Sequence, residues 1–248
     1  MKLTSANINV MVKACRKASK IIIRDFGEIE NLQVSLKGPG DFVTNCDKKV
    51  EKILIEELQK ARPSYSILSE EIGKITNDES FKWIIDPIDG TANFLHGIPH
   101  FAISIGLEHN KEIICGIIYD PIKDEMFTAE KGNGSYLNNQ RMRVSSRSQL
   151  KDCIIFTGGP KHDSKNKEIS LKDYNNFSSK LLVPIRKLGS ASLDMAYVAA
   201  GRCDGFWQRD LNYWDIAAGI VLVKEAGGFV TDFYGENQYI QNKTILVT

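Results

Sequence analysis

The hydrophobic pattern changes twice along this chain, and these changes restrict the folds that it can adopt. Residues 5–26 and 46–61 carry apolar side chains at helical spacing, and a glycine and a proline stand where these two helices should end. Short strand-like segments follow, and strands then alternate with helices in the second half of the chain. Because each sheet face and each apolar helix face must be covered, this order predicts a layered protein of mixed α+β and α/β type.

The predicted elements are short and closely spaced. In the first half we expect strands at residues 65–68, 83–85, 101–108, 112–119 and 125–129, with a hairpin turn at residues 109–111. In the second half we expect a strand at 153–157, a helix at 164–180, a strand at 184–188, a helix at 190–200, a strand at 205–208 and a helix at 215–226. The segment KGPGD at residues 37–41 predicts a turn-rich connection between the first two helices. A soft boundary near residues 141–150 predicts two halves, 1–145 and 146–248, that share an interface.

Composition and charge exclude several classes of protein. The chain has 248 residues, of which 42% are hydrophobic, so it can bury a large core. Its 32 Lys and Arg nearly balance 31 Asp and Glu, so no overall field attracts nucleic acid or an anionic membrane. The five cysteines form no C-x-x-C pair, which argues against a zinc knuckle and a disulfide framework. With neither a signal peptide nor a membrane span in the sequence, we expect a cytoplasmic protein.

The most informative segment is WIIDPIDGTANF at residues 83–94. Its apolar strand delivers Asp86 and Asp89 onto a turn that leads into a helix, and the backbone amides around Gly90 are placed to face an anion. Two carboxylates held this close repel each other unless a cation lies between them, and hard oxygen ligands favour Mg²⁺ or a similar ion. An isolated DxxDG sequence is also typical of an ordinary turn, so this motif needs support from elsewhere in the chain.

Two further segments place acids at the ends of apolar elements. Glu70 and Glu71 follow the strand predicted at residues 65–68, and Asp215 opens the helix predicted at residues 215–226. Taken singly, the glutamates are also typical of a solvated loop, and Asp215 of a helix N-cap. Together with Asp86 and Asp89 they predict a metal site built from several segments.

These motifs resemble the inositol monophosphatase family. The resemblance rests on DPIDGTANF at residues 86–94, on the paired glutamates upstream and on WDIAAG with EAGG downstream. It covers nearly the whole chain, because residues 37–47 resemble the N-terminal loop of the family and residues 188–191 (LGSA) resemble its substrate loop. It implies a layered αβαβα sandwich of the type shared by inositol monophosphatases and fructose-1,6-bisphosphatases.

The resemblance also implies a phosphomonoesterase that depends on Mg²⁺, with two to three ions in each subunit. Glu70, Asp86 and the carbonyl of Ile88 would hold one ion. Asp86, Asp89 and Asp215 would hold a second, and a third, weaker ion would lie near Glu70. Such ions clamp the attacking and leaving oxygens of an in-line displacement, so no covalent intermediate is required.

Catalytic roles and substrate contacts are implied in the same way. Glu70, Thr91 and Asp47 form the implied catalytic set, in which Thr91 orients the attacking water and Asp47 accepts the hydroxyl proton of Thr91. Without the resemblance, Thr91 and Asp47 would be interpreted as residues that begin helices. The implied substrate contacts are Asp89, Gly90, Thr91, Gly189, Ser190, Ala191, Gln208 and Asp215.

The sequence departs from the family pattern at two places. Gln208 stands where the family usually has a glutamate that accepts hydrogen bonds from the substrate ring. A hydrogen bond to a charged acceptor contributes roughly 1.5–3 kcal/mol and one to a neutral acceptor roughly 0.5–1.5, so substrate preference is open, although the neighbouring Asp210 could restore part of the charge. The strand-like run ILVT at residues 245–248 ends the chain where the family usually continues into a helix, and we expect an exposed edge on the last sheet.

The resemblance implies two classes of function. The first is a Mg²⁺-dependent phosphatase for myo-inositol monophosphate or a similar small polyol phosphate, with related sugar or nucleotide phosphatases of the same fold as alternatives. The second is a binding factor for the transcription machinery that assists ribosomal RNA maturation and has secondary phosphatase activity. The resemblance further implies a homodimer and inhibition by Li⁺, and the neutral net charge gives no sign of direct nucleic-acid binding.

Overall fold

A computed structural model of the protein describes residues 5–29, 39–159 and 165–248. Its helices are α1 (Ala6–Gly27), α2 (Pro39–Ala61), α3 (Thr91–Leu95), α4 (Lys167–Leu181), α5 (Ala191–Ala199), α6 (Tyr213–Glu225) and α7 (Tyr239–Asn242), with a short 3₁₀ helix at Leu150–Asp152. No helix within these ranges combines the length and the apolar character that crossing a membrane requires.

The first sheet has eight strands in the order β2-β1-β3-β4-β5-β6-β7-β8. Its strands are β1 (Tyr65–Ser69), β2 (Gly73–Ile75), β3 (Asp78–Asp89), β4 (Ala102–His109), β5 (Glu112–Asp120), β6 (Glu125–Glu130), β7 (Gly134–Leu137) and β8 (Gln140–Arg141). β1 pairs with β3 in parallel, and β3 to β8 form an antiparallel meander. The central strands are apolar on both faces because helices cover both sides of this sheet.

Helices α1 and α2 cover one face of the first sheet. Met11 and Leu54 on these helices are buried in one core with Trp83 and Ile85 of β3. The side chain of Ile84, between them in sequence, belongs to the other core, as the alternation of a strand requires. A buried strand with two covered faces is what the continuous apolar run of this segment predicts.

The opposite face of the first sheet packs on α5 and α6, which also support the second sheet. Leu193 and Leu222 on these helices share a core with Ile118 of the first sheet and with Phe206 and Ile245 of the second. One core therefore connects residues on both sides of the expected boundary, and the division into halves 1–145 and 146–248 stays a prediction.

The second sheet has five strands in the order β10-β9-β11-β13-β12. They are β9 (Ile155–Thr157), β10 (Ile185–Arg186), β11 (Gly205–Arg209), β12 (Val230–Thr231) and β13 (Thr244–Val247). Helix α4 lies on the outer face, where the rings of Phe177 and Trp207 are 4.6 Å apart. The layers thus follow the order helices, sheet, helices, sheet, helix, and the predicted αβαβα sandwich is confirmed.

Some local predictions were wrong. Residues 39–41 belong to α2, because proline is well suited to the first turn of a helix, whereas residues 30–38 lie outside the described part of the chain. Strands β2, β7, β8 and β12 were missed, since each has only two to four residues. Strand β13 pairs with β11 on one side and β12 on the other, so β12 is the edge strand at this end of the second sheet, and the exposed edge expected on this sheet stays a prediction.

Candidate active site

Strand β3 ends in the two aspartates that the sequence singles out. Asp86 pairs with Ser104 of β4 and Asp89 with Ala102, so three steps along β3 oppose two along β4. This irregularity contains Pro87, which has no N–H for the ladder. In a regular strand residues three apart point to opposite faces, and the extra residue allows both carboxylates to lie on one side.

The turn after Asp89 requires a glycine. Gly90 has a φ of 99°, and a Cβ atom there would lie 3.1 Å from the carbonyl oxygen of His100 and 3.3 Å from that of Gly189. The turn is therefore packed closely against the segment that carries the predicted substrate loop. Any larger residue at this position would separate the two segments.

Thr91 begins α3 directly after this turn. Its hydroxyl donates to the carbonyl of Ile88 at 3.0 Å. The predicted donation from Thr91 to Asp47 is therefore not made, because the single hydroxyl proton is used elsewhere. The bond instead holds the Ile88 carbonyl, which was predicted as a metal ligand, against the start of the helix.

Asp47 lies inside α2 and belongs to a crowded group of carboxylates. It is only 5% exposed, and its Oδ1 has no hydrogen-bond partner among the described residues. Burial, reinforced by the charges of Glu71, Glu70 and Glu51, raises the pKa of Asp47 to about 8. Several carboxyl groups are thus brought together at the end of β1.

Asp86 is the centre of the acidic site. It is 2% exposed, and its Oδ1 accepts a hydrogen bond of 3.0 Å from the backbone N–H of Ile88. Burial raises its pKa well above the usual value, and the charges of Asp89, Glu70 and Asp215 raise it further. The structure thus brings together four of the carboxylates that the sequence predicts as metal ligands.

Asp215 occupies the first turn of α6. Its Oδ2 accepts a hydrogen bond of 2.8 Å from the backbone N–H of Asn212, and together the two residues form a capping box. The helix-capping interpretation and the metal-ligand interpretation therefore do not conflict. The cap fixes the carboxylate at the helix end that faces Asp86.

The predicted substrate loop holds Asp89 in place. Asp89 Oδ2 accepts hydrogen bonds from the Ser190 hydroxyl at 2.6 Å, the Ser192 N–H at 2.7 Å and the Ser192 hydroxyl at 2.5 Å. Burial raises the pKa of Asp89, while the bonds from Ser190, Ser192 and the backbone of Ala191 oppose that rise. Ser190 also caps α5 by accepting from the backbone N–H of Leu193.

Asn93 ties this loop to the metal turn. Its carboxamide donates to the carbonyls of His100 and Leu188, each at 2.7 Å. Asn93 therefore anchors two segments to α3: the loop that begins at Leu188 and the segment around His100. The sequence motif contains Asn93, but nothing in the pattern indicates which carbonyls it would reach.

Gln208 lies on β11 on the same face as Phe206, which belongs to the core shared with α5 and α6. A Cβ atom on Gly158 would come within 2.0 Å of the Gln208 carboxamide, so the side chain lies directly over this glycine. Asp210, which was expected to restore charge, accepts a hydrogen bond of 2.7 Å from Asn166.

The donor set suits a hard divalent cation. Glu70, Asp86, Asp89 and Asp215 offer carboxylate oxygens, which Mg²⁺ prefers. Burial raises the pKa of Asp86 and of Asp89, so the ionised form of each is disfavoured unless a cation binds. Over the described ranges, no group of three or more Asp, Glu, His or Cys side chains is arranged so that it could hold a metal ion. The residues fit a cation by the chemistry of their donor atoms, and they are supplied by separate segments of the chain.

Three residues around the site were missed by sequence reasoning. Ser192 binds Asp89, Glu51 binds the segment after β1, and Asp194 is fully buried with both carboxylate oxygens unpartnered among the described residues. Burial and the charge of Asp89 raise the pKa of Asp194 well above its usual value. Such residues have ordinary sequence surroundings, and only the fold brings them to the site.

The fold and the acidic cluster define the class of protein: a five-layer αβαβα sandwich with a buried acidic cluster beside the turn after β3. A family model described as the inositol monophosphatase family matches residues 4–248. The chain belongs to this family.

Similar proteins carry two kinds of name. The inositol-1-monophosphatase of Rhizobium meliloti is 51% identical over 243 residues, which are 98% of this chain and 91% of that protein. The Nus factor SuhB of Escherichia coli is 41% identical over 243 residues, which are 96% of this chain and 90% of that protein.

Solved structures agree with the fold. A crystal structure of the extragenic suppressor protein suhB from Bartonella henselae has a TM-score of 0.89 at 51% identity and covers 98% of this chain and 93% of that chain. The inositol monophosphatase from Anabaena has a TM-score of 0.83 at 34% identity and covers 97% of this chain and 89% of that chain.

Proposed function

We propose that this protein is a Mg²⁺-dependent phosphomonoesterase that hydrolyses myo-inositol monophosphate or a similar small polyol phosphate. The observation that carries the proposal is the crowding of Glu70, Asp89 and Asp215 around the buried Asp86. Carboxyl groups crowded in this way either keep a proton or are neutralised by a bound cation, and a cation allows all four to ionise. The name of the Rhizobium meliloti relative supports inositol phosphate as the substrate.

In this proposal Glu70, Asp86, Asp89, Asp215 and the Ile88 carbonyl hold two to three ions. When bound, Mg²⁺ would supply positive charge for the phosphate and would lower the pKa of water, so that hydroxide is available as a nucleophile near neutral pH. The residues themselves are held by the capping box, by the turn at residues 89–91 and by the loop that donates to Asp89.

Thr91 and Asp47 act on water in this proposal. The Thr91 hydroxyl donates to Ile88, so its oxygen is left to accept a hydrogen bond from water and orient it. Asp47 is buried, and its Oδ1 has no hydrogen-bond partner among the described residues, so it can accept a hydrogen bond from the same water. This arrangement differs from the predicted one, in which Asp47 accepts the hydroxyl proton of Thr91.

The substrate lies in this proposal between the turn and the loop, against Asp89, Gly90, Thr91, Gly189, Ser190, Ala191, Gln208 and Asp215. The Ser190 hydroxyl and the Ala191 backbone are already engaged with Asp89, so they act on the substrate through the position of that carboxylate. This arrangement makes the loop part of the metal site as well as part of the substrate pocket.

The decisive test is phosphate release by the purified protein. The panel consists of inositol 1-phosphate, glycerol 2-phosphate, fructose 1,6-bisphosphate and 3′-phosphoadenosine 5′-phosphate, each with Mg²⁺ and with a chelator. We expect Mg²⁺-dependent release with inositol 1-phosphate as the preferred substrate. A folded protein that releases no phosphate from any of them contradicts the proposal.

Gln208 provides a test of specificity. The Gln208→Glu variant should lower KM for inositol 1-phosphate several-fold, because a charged acceptor adds roughly 1 kcal/mol to a hydrogen bond with a ring hydroxyl. The KM for glycerol 2-phosphate serves as the control, since this substrate has no ring. Equal changes for both substrates would remove Gln208 from ring recognition.

The Nus factors among the relatives favour a second candidate function. The 41% identity to the Escherichia coli Nus factor SuhB supports an association with the transcription machinery, beside catalysis or without it. A pull-down of RNA polymerase with the Asp86→Asn variant would test it, because binding should persist when catalysis is lost. A homodimer and a cytoplasmic location stay predictions.

A further inference from the structure

Glu51 is a buried glutamate that the proposed mechanism does not use. It lies on α2 one helical turn after Asp47 and has no exposed surface. A carboxylate in such a position needs hydrogen-bond donors, because a buried charge without them is costly. Its donors all come from one segment outside the helix.

That segment is the end of β1 together with the loop that follows it. Glu51 Oε1 accepts hydrogen bonds from the Ser69 hydroxyl, from the backbone N–H of Glu71 at 3.1 Å and from that of Ile72 at 3.3 Å. One carboxylate oxygen therefore receives donors from residues on both sides of Glu70. Bonds to a charged acceptor are the stronger kind, so this contact fixes the loop firmly.

The loop is held on its other side by β3. The backbone N–H of Glu70 donates to the carbonyl of Ile85 at 3.3 Å, and the Ser69 hydroxyl also lies 3.4 Å from that oxygen. Ile85 directly precedes Asp86, and the pKa of Asp86 is raised by burial first and then by the charges of Asp89 and Glu70. The position of Glu70 relative to Asp86 thus depends on two supports, the strand and Glu51.

We propose that Glu51 is a positioning residue that holds Glu70 in the place where it shares a cation with Asp86. The inference rests on the proposed function, because it takes Glu70 as a metal ligand. Glu51 acts only through the loop and contacts neither the substrate nor the ion. Without Glu51, the loop that carries Glu70 is less fixed before a cation binds. Binding then has to order this loop, and the affinity for the cation falls because of that cost.

Three variants of the full-length protein separate this role from general stability. Glu51→Ala removes the acceptor, whereas Glu51→Gln keeps an acceptor oxygen of the same reach for the backbone amides. Glu56→Ala, an exposed glutamate on the same helix, is the matched control.

Two readouts are needed. The first is amide hydrogen exchange of Glu71 and Ile72 in chelator, which should become at least about tenfold faster in Glu51→Ala and stay within about threefold of wild type in Glu51→Gln. The second is the Mg²⁺ concentration at half-saturation, measured by calorimetry, which should rise about 10–100-fold in Glu51→Ala, as expected when a ligand loses its support. At saturating Mg²⁺, kcat should stay within about threefold of wild type, and Glu56→Ala should change none of these quantities.

Unchanged exchange at these amides, or faster exchange with an unchanged Mg²⁺ midpoint, overturns the inference. If Glu51→Ala does not fold, Ser69→Ala takes its place, since it removes one of the donors and should shift both readouts in the same direction by about threefold. A wild-type protein that binds Mg²⁺ but releases no phosphate contradicts the proposed function alone. Phosphate release with a Glu51-independent Mg²⁺ midpoint contradicts the role of Glu51 alone.

Discussion

Asp86 and Asp232 are both aspartates with almost no exposed surface, but their surroundings differ. Asp232 accepts hydrogen bonds from the backbone N–H groups of Tyr234 at 2.9 Å and Glu236 at 2.8 Å, and from the Asn242 carboxamide at 2.7 Å. Desolvation acts against its charge, but these donors prevail and lower its pKa. Asp86 has one backbone donor and faces other carboxylates, and its pKa is raised.

The comparison separates two uses of a buried carboxylate. The hydrogen bonds that Asp232 needs are all supplied by the chain, and they fix the conformation of the segment between β12 and β13. Asp86 lies among other carboxyl groups, and burial together with their charges disfavours its ionised form unless a cation binds. Asp89 stands between the two, since hydroxyl and backbone donors oppose part of the rise in its pKa.

The largest expected effect comes from removing each of these two carboxylates in turn. Asp86→Asn should reduce Mg²⁺-dependent phosphate release by about three orders of magnitude or more, because a shared ligand is lost. The variant should melt no lower than wild type in chelator, since it removes a crowded buried charge. Asp232→Asn is the matched control: it should melt lower and keep its kcat. Normal turnover by a folded Asp86→Asn variant would show that Asp86 is not needed for catalysis and would contradict this difference between Asp86 and Asp232.

An intermediate effect is expected at Ser192. Ser192→Ala removes one hydroxyl donor from Asp89 but keeps the backbone donor, so Asp89 should become more like Asp86. A hydrogen bond to a charged group contributes roughly 1.5–3 kcal/mol, and we expect kcat/KM to fall about tenfold or more. Ser179→Ala, on the exposed face of α4, is the control for the loss of a serine hydroxyl. Equal activity of both variants would show that Asp89 does not need this donor.

The smallest effect concerns the pH dependence of stability. In the folded protein without metal, Asp47 keeps its proton up to about pH 8, whereas the unfolded chain releases it near the usual value of 3.8. The folded state thus binds more protons in this window, and its stability falls as pH rises from about 4 to 8.

Asp47→Asn should remove this part of the pH dependence. Urea unfolding in chelator at pH 5 and pH 8 should show that the free energy of unfolding of the variant, relative to wild type, is higher at pH 8 by more than about 1 kcal/mol. The comparison between variant and wild type cancels the other titrating groups. A constant difference between the two pH values would mean that Asp47 ionises as an ordinary carboxylate.

The same contrast explains which parts of the site the sequence could predict. Asp86 and Asp89 were predictable because they end an apolar strand within a motif whose proline and glycine fix the turn. Glu51 and Ser192 were not, because each lies in an ordinary helical stretch and gains its role from a segment at least 18 positions away. The hydroxyl of Thr91 was assigned to the wrong acceptor, since a sequence motif names donors and acceptors but does not state their pairs.

The layers of the fold were predictable for a similar reason. Long apolar periods determined α1, α2 and the central strands, whereas strands of two or three residues, such as β8 and β12, have too few side chains for a period to be recognised. The start of α2 was misplaced because Gly and Pro are typical of turns in isolation. Here the backbone around Pro39 is helical.

The two bonds made by Asn93 have a consequence for protein engineering. The carboxamide joins the segment after the helical turn to the loop at residues 188–192, so these pieces form one rigid unit. A loop transplanted from a relative to change substrate preference would carry its own backbone path to this carboxamide and to Asp89. Transplants should therefore keep the fold better when the turn and the loop are exchanged together, because the exchange then preserves the bonds of this carboxamide.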